Sequence, residues 1–391
     1  MLRSGRLLLV VAFVAFVGLG LPDGLLGTGW PAMRSEFGRP VGDLGLVIST
    51  SIAAYGAIAT VSGWLTARLG AGGVLLIAYM FVTAGVFTLL VAPSFVVFLA
   101  GTTLLSAGNG LLDPAINTYV ARFHGVRTMN LLHTSFGLGA TIGPIMMVRR
   151  LDRSGRWQAG YEPVLVFAVA MVAVMLATRR RWGVRASIAD RERPSDVRLM
   201  AAASTMVGFA FAGGIEAATG QWAFSILVED RDVAQGLAGA FVASFWGGLT
   251  LGRLFGAFWG GRFALGVIVR SSVVTVILGL GWLAFAPFMA PLGLPVAGAG
   301  MALIFPTLVI RAAARFGPAA DTVIGWGFGA MSVGVAVLPY GLGRLAEVWD
   351  LGVVAPALVA IALMLAASIG IHREQPADRP GKTSNATEQH P

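Results

Sequence analysis

The sequence predicts an all-α membrane protein, with twelve transmembrane helices arranged as two pseudo-symmetric six-helix bundles. Three observations lead to this fold class: an extremely apolar composition, twelve separate apolar segments, and an internal repeat. Of the 391 residues, 56% are hydrophobic and only 12% are charged, which is about half of the charged share in soluble domains. So few charges cannot cover the surface of a soluble protein of this size. The composition therefore indicates a polytopic membrane protein.

The twelve apolar segments predict the helices in order. A helix that spans a bilayer needs about 20 apolar residues. We place the spans at 7–30, 42–64, 72–93, 95–120, 129–148, 163–178, 199–225, 235–258, 266–287, 293–314, 321–343 and 352–371. The first span follows the basic residues Arg3 and Arg6 but precedes no signal-peptidase motif, so we interpret it as a retained helix.

The spacing of the spans and the distribution of charge predict the domains and the topology. We expect an N-terminal bundle over 1–178, a cytoplasmic linker over 179–198, a C-terminal bundle over 199–371 and a disordered cytoplasmic tail over 372–391. Most Lys and Arg residues fall in the tails and in loops on the same side as the termini, which marks that side as cytoplasmic. The net charge of +9 therefore indicates cytoplasmic loops of an inner-membrane protein and not a nucleic-acid partner.

Enzyme chemistry finds no support in the sequence. The chain has no cysteine and only four histidines, and it lacks a His-Glu-x-x-His motif, a phosphate-binding loop and a nucleophile elbow. We therefore expect no catalytic residue, no metal site and no cofactor. The missing phosphate-binding loop also argues against an ATP-driven pump.

Residues of the first half recur about 193 positions later in the second half. The matching pairs are Asp23 and Glu216, Gly63 and Gly256, Gly108–Pro114 and Gly300–Pro306, and Ala121–Phe123 and Ala314–Phe316. Each pair falls in corresponding spans, so the repeat predicts two related halves. Parallel repeats are one of the transporter architectures, with the substrate site near mid-membrane between the halves.

This arrangement resembles the major facilitator superfamily over residues 5–371. The family's loop signature after span two is present as Gly63-Trp-Leu-Thr-Ala-Arg68-Leu-Gly70, with Ala67 in place of the family's Asp. Within the superfamily, the chain is most similar to the sugar-permease branch that includes fucose permeases. That similarity lies in Gly110–Asn117, in Glu216 with Gln221 and Trp222, and in Phe245–Arg253.

Three acidic residues lie inside predicted spans, where an ionised side chain is costly: Asp23, Asp113 and Glu216. A low dielectric favours the protonated carboxyl, so such a group can exchange a proton near neutral pH. The resemblance to fucose permeases implies acids in spans one and four, and Asp23 and Asp113 occupy those positions. We therefore predict proton coupling at Asp23 and Asp113 and substrate binding at Glu216. Permanent pairing for packing is the alternative interpretation.

Polar and aromatic side chains near these acids predict a substrate site. Asn109, Asp113 and Asn117 lie four residues apart on one face of span four, and they offer the donors and acceptors that sugar hydroxyls need. The other candidate substrate-binding residues are His133, Gln221, Trp222 and Trp246. We expect His133 to pair with Asp113 or to contact the substrate, and a structural role is the alternative. For Trp222, the alternative to substrate binding is an interfacial anchor.

Two arginines are candidates for gate residues. Arg68 belongs to the loop signature, and Arg253 lies near the inner end of span eight, where we expect it to extend to the surface or to pair with loop acids. The same span carries a ridge of glycines that predicts close approach of a neighbouring helix. The ridge consists of Gly248, Gly252, Gly256 and Gly260.

These features favour a secondary transporter that moves a small polar solute, a sugar, by alternating access coupled to protons. The alternative is a proton-driven exporter of drugs and other amphipathic compounds, because Gly139-Ala-Thr-Ile-Gly143-Pro144 resembles part of the antiporter signature of drug exporters, although Asn130 stands where that signature has Gly. A membrane receptor with the same fold is a third interpretation. We expect the partners to be the small-molecule substrate, protons or Na⁺, and the lipid bilayer, and we expect a monomer.

Overall fold

The computed structural model describes residues 2–124, 126–183, 199–286 and 289–370, and these residues form helices without a strand. Most of the predicted linker and the tail lie outside the described residues. The helices are α1 (Leu2–Glu36), α2 (Asp43–Leu69), α3 (Ala71–Leu90), α4 (Phe95–Phe123), α5 (Val126–Ser154), α6 (Gln158–Thr178), α7 (Leu199–Ser225), α8 (Gln235–Trp259), α9 (Leu265–Phe285), α10 (Gly293–Met301), α11 (Ile304–Phe316), α12 (Ala320–Val348) and α13 (Val354–Gly370).

The described part of the chain contains 11 helical segments that are long and apolar enough to cross a membrane. One of them combines α10 and α11. The helix α7 is not among them, although it has 27 residues. It carries the acidic Glu216 and the polar Gln221 together with many small residues.

The tenth predicted span is interrupted, where the sequence predicted one continuous helix. The helix stops after Met301 and resumes at Ile304. Pro306 has no backbone N–H for the carbonyl of Ala302, and its ring clashes with that carbonyl. The break between α10 and α11 therefore follows from a single proline.

Helices pair in the same order in both halves of the chain. In the first half, α1 packs against α5 and α6, α2 packs against α4, and α3 packs against α4 and α6. In the second half, α7 packs against α12 and α13, α8 packs against α10, and α9 packs against α10 and α13. The two halves meet through α1 and α7, α2 and α12, and α5 and α8.

Glycine permits the closest of these helix contacts. A Cβ atom on Gly139 of α5 would lie 2.0 Å from the carbonyl oxygen of Val17 in α1, and one on Gly334 of α12 would lie 1.9 Å from that of Ala210 in α7. The predicted glycine ridge of α8 behaves in the same way, because Gly248, Gly252 and Gly256 pack against α10 and the residues that follow it. Gly260, the last of the ridge, has no such neighbour.

The two halves are joined at one end of the bundle, which holds the loops 37–42 and 226–234. Arg34 Nη2 of α1 lies 2.6 Å from Glu229 Oε2, which follows α7. Ser49 Oγ of α2 donates a hydrogen bond of 2.8 Å to the carbonyl of Ala336 in α12. An ion pair and a backbone contact thus close this side, which is the predicted outer side.

The opposite ends of α2 and α12 are uncrowded. Gly56 and Gly63 in α2, and Gly325 and Gly329 in α12, have space for a Cβ atom with no other atom within 4 Å. Here α5 and α8 remain in contact, because the Arg127 guanidinium stacks 4.8 Å from the ring centre of Phe258. We infer from this space a cleft between α2 and α12 that opens toward residue 70 and residues 317–319, on the predicted cytoplasmic side.

Removing the ion pair between the halves should loosen the closed side. We expect Glu229→Gln to increase opening by about fivefold, since a partly buried pair contributes about 1 kcal/mol. The measurement is the rate at which Ser49→Cys, in this cysteine-free chain, reacts with a membrane-impermeant thiol reagent added from the side of loop 37–42.

Glu162→Gln is the matched control, because it removes an exposed ion pair of 3.5 Å between Arg150 and Glu162 within one half. We expect the control to leave the rate of labelling at position 49 unchanged. Equal labelling rates in Glu229→Gln and in the unaltered background would show that the ion pair does not hold the halves together.

Candidate functional site

Polar side chains from six helices meet in the interior, where the cleft ends. They come from α1, α2, α4 and α5 of the first half and from α7 and α8 of the second half. The half-buried members include Asp23, Tyr55, Asp113, Glu216 and Arg253. Their partial exposure in mid-helix positions shows that the cleft reaches this depth.

The first group lies within the first half and is built around Asp113. Tyr55 Oη of α2 donates a hydrogen bond of 2.5 Å to Asp113 Oδ2, and Asn117 Nδ2 donates one of 2.7 Å to Oδ1. Gly110 lets α2 and α4 approach, because its Cβ would lie 2.4 Å from the carbonyl oxygen of Tyr55. Asn109 is half-buried one turn before Asp113 and forms no hydrogen bond with the described part of the chain.

The second group contains an ion pair inside the second half. Arg253 Nη2 of α8 lies 3.4 Å from both carboxylate oxygens of Glu216 in α7. The two side chains are only 16% and 14% exposed. The expectation that Arg253 extends to the surface or pairs with loop acids is therefore wrong. A guanidinium at this depth is much more stable beside a carboxylate than alone.

Asp23 faces this ion pair from the other half. Its carboxylate lies close enough to Glu216 for the two charges to interact, and its charge also reaches Tyr55. Within the described residues, no group donates a hydrogen bond to its side chain. Gln221 Nε2 of α7 instead donates a hydrogen bond of 3.0 Å to the backbone carbonyl of Asp23. Asp23 is thus the acid whose charge has the least compensation.

Two side chains beside these acids carry buried polar atoms without a hydrogen-bond partner in the described part of the chain. They are Trp246 Nε1 and Gln221 Oε1, on side chains that are 3% and 6% exposed. The indole ring of Trp246 packs against Gly220 of α7 and meets Phe136 of α5 edge to face. Because buried polar atoms are nearly always paired, this donor and this acceptor are available to a bound solute.

His133 and Trp222, which the sequence predicted to bind substrate, lie apart from Asp113. His133 meets the ring of Phe16 edge to face at 5.6 Å and lies within electrostatic range of Arg253, so its predicted pairing with Asp113 is wrong. Trp222 is fully buried and donates a hydrogen bond of 3.2 Å to the carbonyl of Pro339. It is therefore not an interfacial anchor, and its N–H is not free for a substrate.

Arg68 is exposed and stacks on the ring of Trp64 at 4.1 Å. Within the described residues it forms no ion pair, so it does not close the cleft in this structure. The family's Asp is Ala67 here, which removes the neighbouring acid that a charge latch in this loop would use.

Sequence reasoning did not single out Tyr55, although its hydroxyl forms the shortest hydrogen bond to Asp113. The available signal was a single phenol in the middle of an apolar span, since a buried tyrosine hydroxyl usually has a hydrogen-bond partner. Within the described residues, no group of three or more His, Cys, Asp or Glu side chains could hold a metal ion.

Comparison with known proteins places the chain among membrane transporters. The family model described as Major Facilitator Superfamily matches residues 8–339. Bypass of stop codon protein 6 from Saccharomyces cerevisiae is 25% identical over 288 residues, which are 66% of this chain and 58% of the yeast protein. The chain thus spans less than two thirds of the length of that relative.

Solved structures are similar to the chain over nearly its whole length. The E. coli fucose:proton symporter FucP has a TM-score of 0.58 at 16% identity, and the nucleoside transporter NupG has a TM-score of 0.73 at 15% identity. Each match covers 93% of this chain and 99% of the other. At such low identity, these likenesses show the fold alone.

The buried ion pair should be sensitive to the loss of one partner. We expect Arg253→Gln to destabilise the fold by about 1–3 kcal/mol, because the carboxylate of Glu216 then lies beside Asp23 without a compensating charge. The measurement is the melting temperature of the purified protein in detergent.

The double variant with Glu216→Gln and Arg253→Gln should recover most of this stability, since it leaves no unpaired charge. Arg150→Gln removes an exposed partner and is the matched control, with little expected effect. If Arg150→Gln and Arg253→Gln lower the melting temperature equally, the interior pair has no special role in stability.

Proposed function

Because this chain belongs to the major facilitator superfamily, we propose that it is a secondary transporter that moves a small polar solute, a sugar, by alternating access coupled to protons. The observation that carries the proposal is the polar site at the end of the cleft. There, acids from both halves lie beside a buried indole N–H and a buried amide oxygen that no described residue satisfies. Apolar cargo would leave these atoms unpaired, and a polyhydroxylated solute would satisfy them.

We propose twelve spans in two pseudo-symmetric bundles, over 1–178 and 199–371, with α7 as the seventh span. The same order of helix pairing in both halves supports this architecture. The polar residues Glu216 and Gln221 are compatible with a span, because Val207 is the one exposed side chain of α7 among those described over 202–225. A helix shielded from lipid by its neighbours does not need an apolar surface on every side.

We further propose that both termini are cytoplasmic in the inner cell membrane and that the monomer is the functional unit. The cleft then opens to the cytoplasm, and the Arg34–Glu229 pair closes the outer side. Transport requires the reverse arrangement as well. The halves would exchange the two arrangements around a site that stays near mid-membrane.

The substrate would contact residues of both halves. Trp246 Nε1 would donate a hydrogen bond to a sugar hydroxyl, and Gln221 Oε1 would accept one. Asn117 Oδ1, which is buried and also unpartnered in the described residues, offers a second acceptor. We propose that Asp113, Asn109 and Glu216 border the same site, with His133 beside Arg253.

We propose different roles for the two acids that the sequence assigned to proton coupling. The Asp23 carboxylate accepts no hydrogen bond from the described residues and lies beside Glu216, so a proton on Asp23 relieves the repulsion between two carboxylates. The group of Asp23, Glu216 and Arg253 is then neutral, and a neutral group costs least when the site is sealed from water on both sides. Asp23 would therefore carry the transported proton.

Export of amphipathic compounds remains the second interpretation from the sequence, through the motif at 139–144. In the fold, Gly139 and Gly143 lie directly against the backbone of α1. Helix packing accounts for both glycines without an exporter function. The polar atoms at the end of the cleft favour a hydrophilic solute.

The experiment that tests this function is transport by purified protein in liposomes with an imposed pH gradient. The panel contains labelled monosaccharides, nucleosides and fluorescent amphipathic cations, each tested with both gradient directions. We expect a monosaccharide to accumulate with an inward proton gradient. Movement of the amphipathic cations alone, or of no member of the panel, would contradict the proposal.

Asp23→Asn should separate coupling from binding. The neutral amide mimics the protonated acid, so the carrier should still exchange solute while the proton gradient no longer drives accumulation. For one proton per solute, a gradient of one pH unit supports about tenfold accumulation, because about 1.4 kcal/mol corresponds to a factor of ten. We expect Asp23→Asn to lose this tenfold while counterflow persists.

Asp113→Asn is the comparison variant in the same half. It removes a carboxylate whose two oxygens each accept a hydrogen bond, so we expect it to weaken solute binding and to lower accumulation and counterflow together. Asp43→Asn, at the first residue of α2 beside Arg39, should change neither. Full gradient-driven accumulation by Asp23→Asn would remove this acid from the coupling mechanism.

A further inference from the structure

The hydrogen bonds of Asp113 have a fixed direction. Asn117 Nδ2 can only donate, and an ionised carboxylate oxygen accepts such a hydrogen bond better than a protonated one. The Tyr55 hydroxyl also donates, and Asp113 Oδ2 is its single hydrogen-bond partner in the described residues. A proton on Asp113 would therefore weaken or displace one of these two donors, which favours the ionised carboxylate.

We propose that Tyr55 is a positioning residue that holds Asp113 in its ionised form and fixes the orientation of its carboxylate. Helix α4 then presents a constant negative charge to the cleft. The use of that charge in solute binding rests on the proposed function, whereas the location of the proton does not. Tyr55 was not among the residues that the sequence singled out.

The fold makes this contact durable. The backbone of Tyr55 lies directly against Gly110, one turn before Asp113, where a Cβ atom would be only 2.4 Å from the Tyr55 carbonyl oxygen. Both helices belong to the first half, so a movement between the halves leaves the hydrogen bond intact. Asp23 differs in this respect, because Glu216 belongs to the other half.

Other titratable groups on the helices around α4 do not compete for Asp113. Tyr79 of α3 directs its hydroxyl to the carbonyl of Ala15 at 3.4 Å. His133 of α5 lies by Phe16 and Arg253. Asp23 of α1 interacts electrostatically with Tyr55 and forms no hydrogen bond with Asp113. The phenol therefore lies between two acids and donates to only one of them.

Infrared difference spectroscopy of the purified protein in lipid can follow the proton directly. The carbonyl band of protonated Asp113 is identified as the band that Asp113→Asn removes. In the unaltered protein, we expect this band to appear only at acidic pH. In Tyr55→Phe a carboxylate that has lost a donor takes up its proton more readily, so the band should appear at a pH higher by about one unit.

Tyr79→Phe is the matched control, since it removes a buried phenol of the same half and should leave the titration of Asp113 unchanged. Asn117→Ala removes the other donor and should shift the band in the same direction, which keeps the test decisive if Tyr55→Phe does not fold. A midpoint that is the same in both variants and in the unaltered protein would falsify the proposal. A protonated Asp113 at neutral pH in the unaltered protein would overturn it as well.

This titration needs no transported solute, so its outcome is separate from that of the liposome panel. A shifted midpoint in Tyr55→Phe without sugar accumulation would support the inference about Tyr55 and contradict the proposed function. Sugar accumulation with an unshifted midpoint would do the reverse.

Discussion

An ionised side chain in the interior of a membrane protein persists only where other groups compensate its charge. The interior of this protein contains three degrees of compensation. Glu216 has a guanidinium at 3.4 Å, Asp113 accepts hydrogen bonds from Tyr55 and Asn117, and Asp23 has neither. The remaining architecture serves to place these acids, because their partners come from different helices and in part from different halves. The least compensated acid, Asp23, is also the one whose nearest charge, Glu216, belongs to the other half.

Close helix packing is the structural condition for this arrangement. The functional side chains reach one another because the residues opposite them are glycines. A glycine has no Cβ atom, so the neighbouring helix can approach closely. Gly110 lies against the backbone of Tyr55, Gly27 lies against Gln221, and Gly220 lies under the indole ring of Trp246. The contacts of Gly110 and Gly220 are dense and lie within one half each, so each half resists internal rearrangement. The contact of Gly27 of α1 with Gln221 of α7 instead joins the two halves. The glycines that resemble an exporter motif belong to the same class of contact.

The contacts between the halves on the closed side combine close packing with polar contacts. Gly45 of α2 lies directly against the backbone of Tyr340 in α12, and an ion pair and a hydroxyl-to-backbone hydrogen bond join α1 and α2 to the second half. Water can replace the polar contacts at small net cost, whereas it cannot replace tight packing. In the transport cycle proposed above, these contacts would break while others form on the opposite side, and a site bordered by acids of both halves would be exposed to each side in turn.

The sequence by itself determined what depends on composition and on spacing within one helix. It predicted a membrane protein, its superfamily, the acids at membrane depth, the glycine ridge of α8 and the shared face of Asp113 and Asn117. It did not predict Tyr55, the pairing of Arg253 with Glu216, the surroundings of His133 or the burial of Trp222. The helical period fixes which residues of one helix share a face, but not how that helix is rotated and shifted against its neighbours. Several helices also extend beyond their apolar segments, as α1 does to Glu36 and α5 to Ser154. Partners between helices were therefore decided only by the tertiary structure.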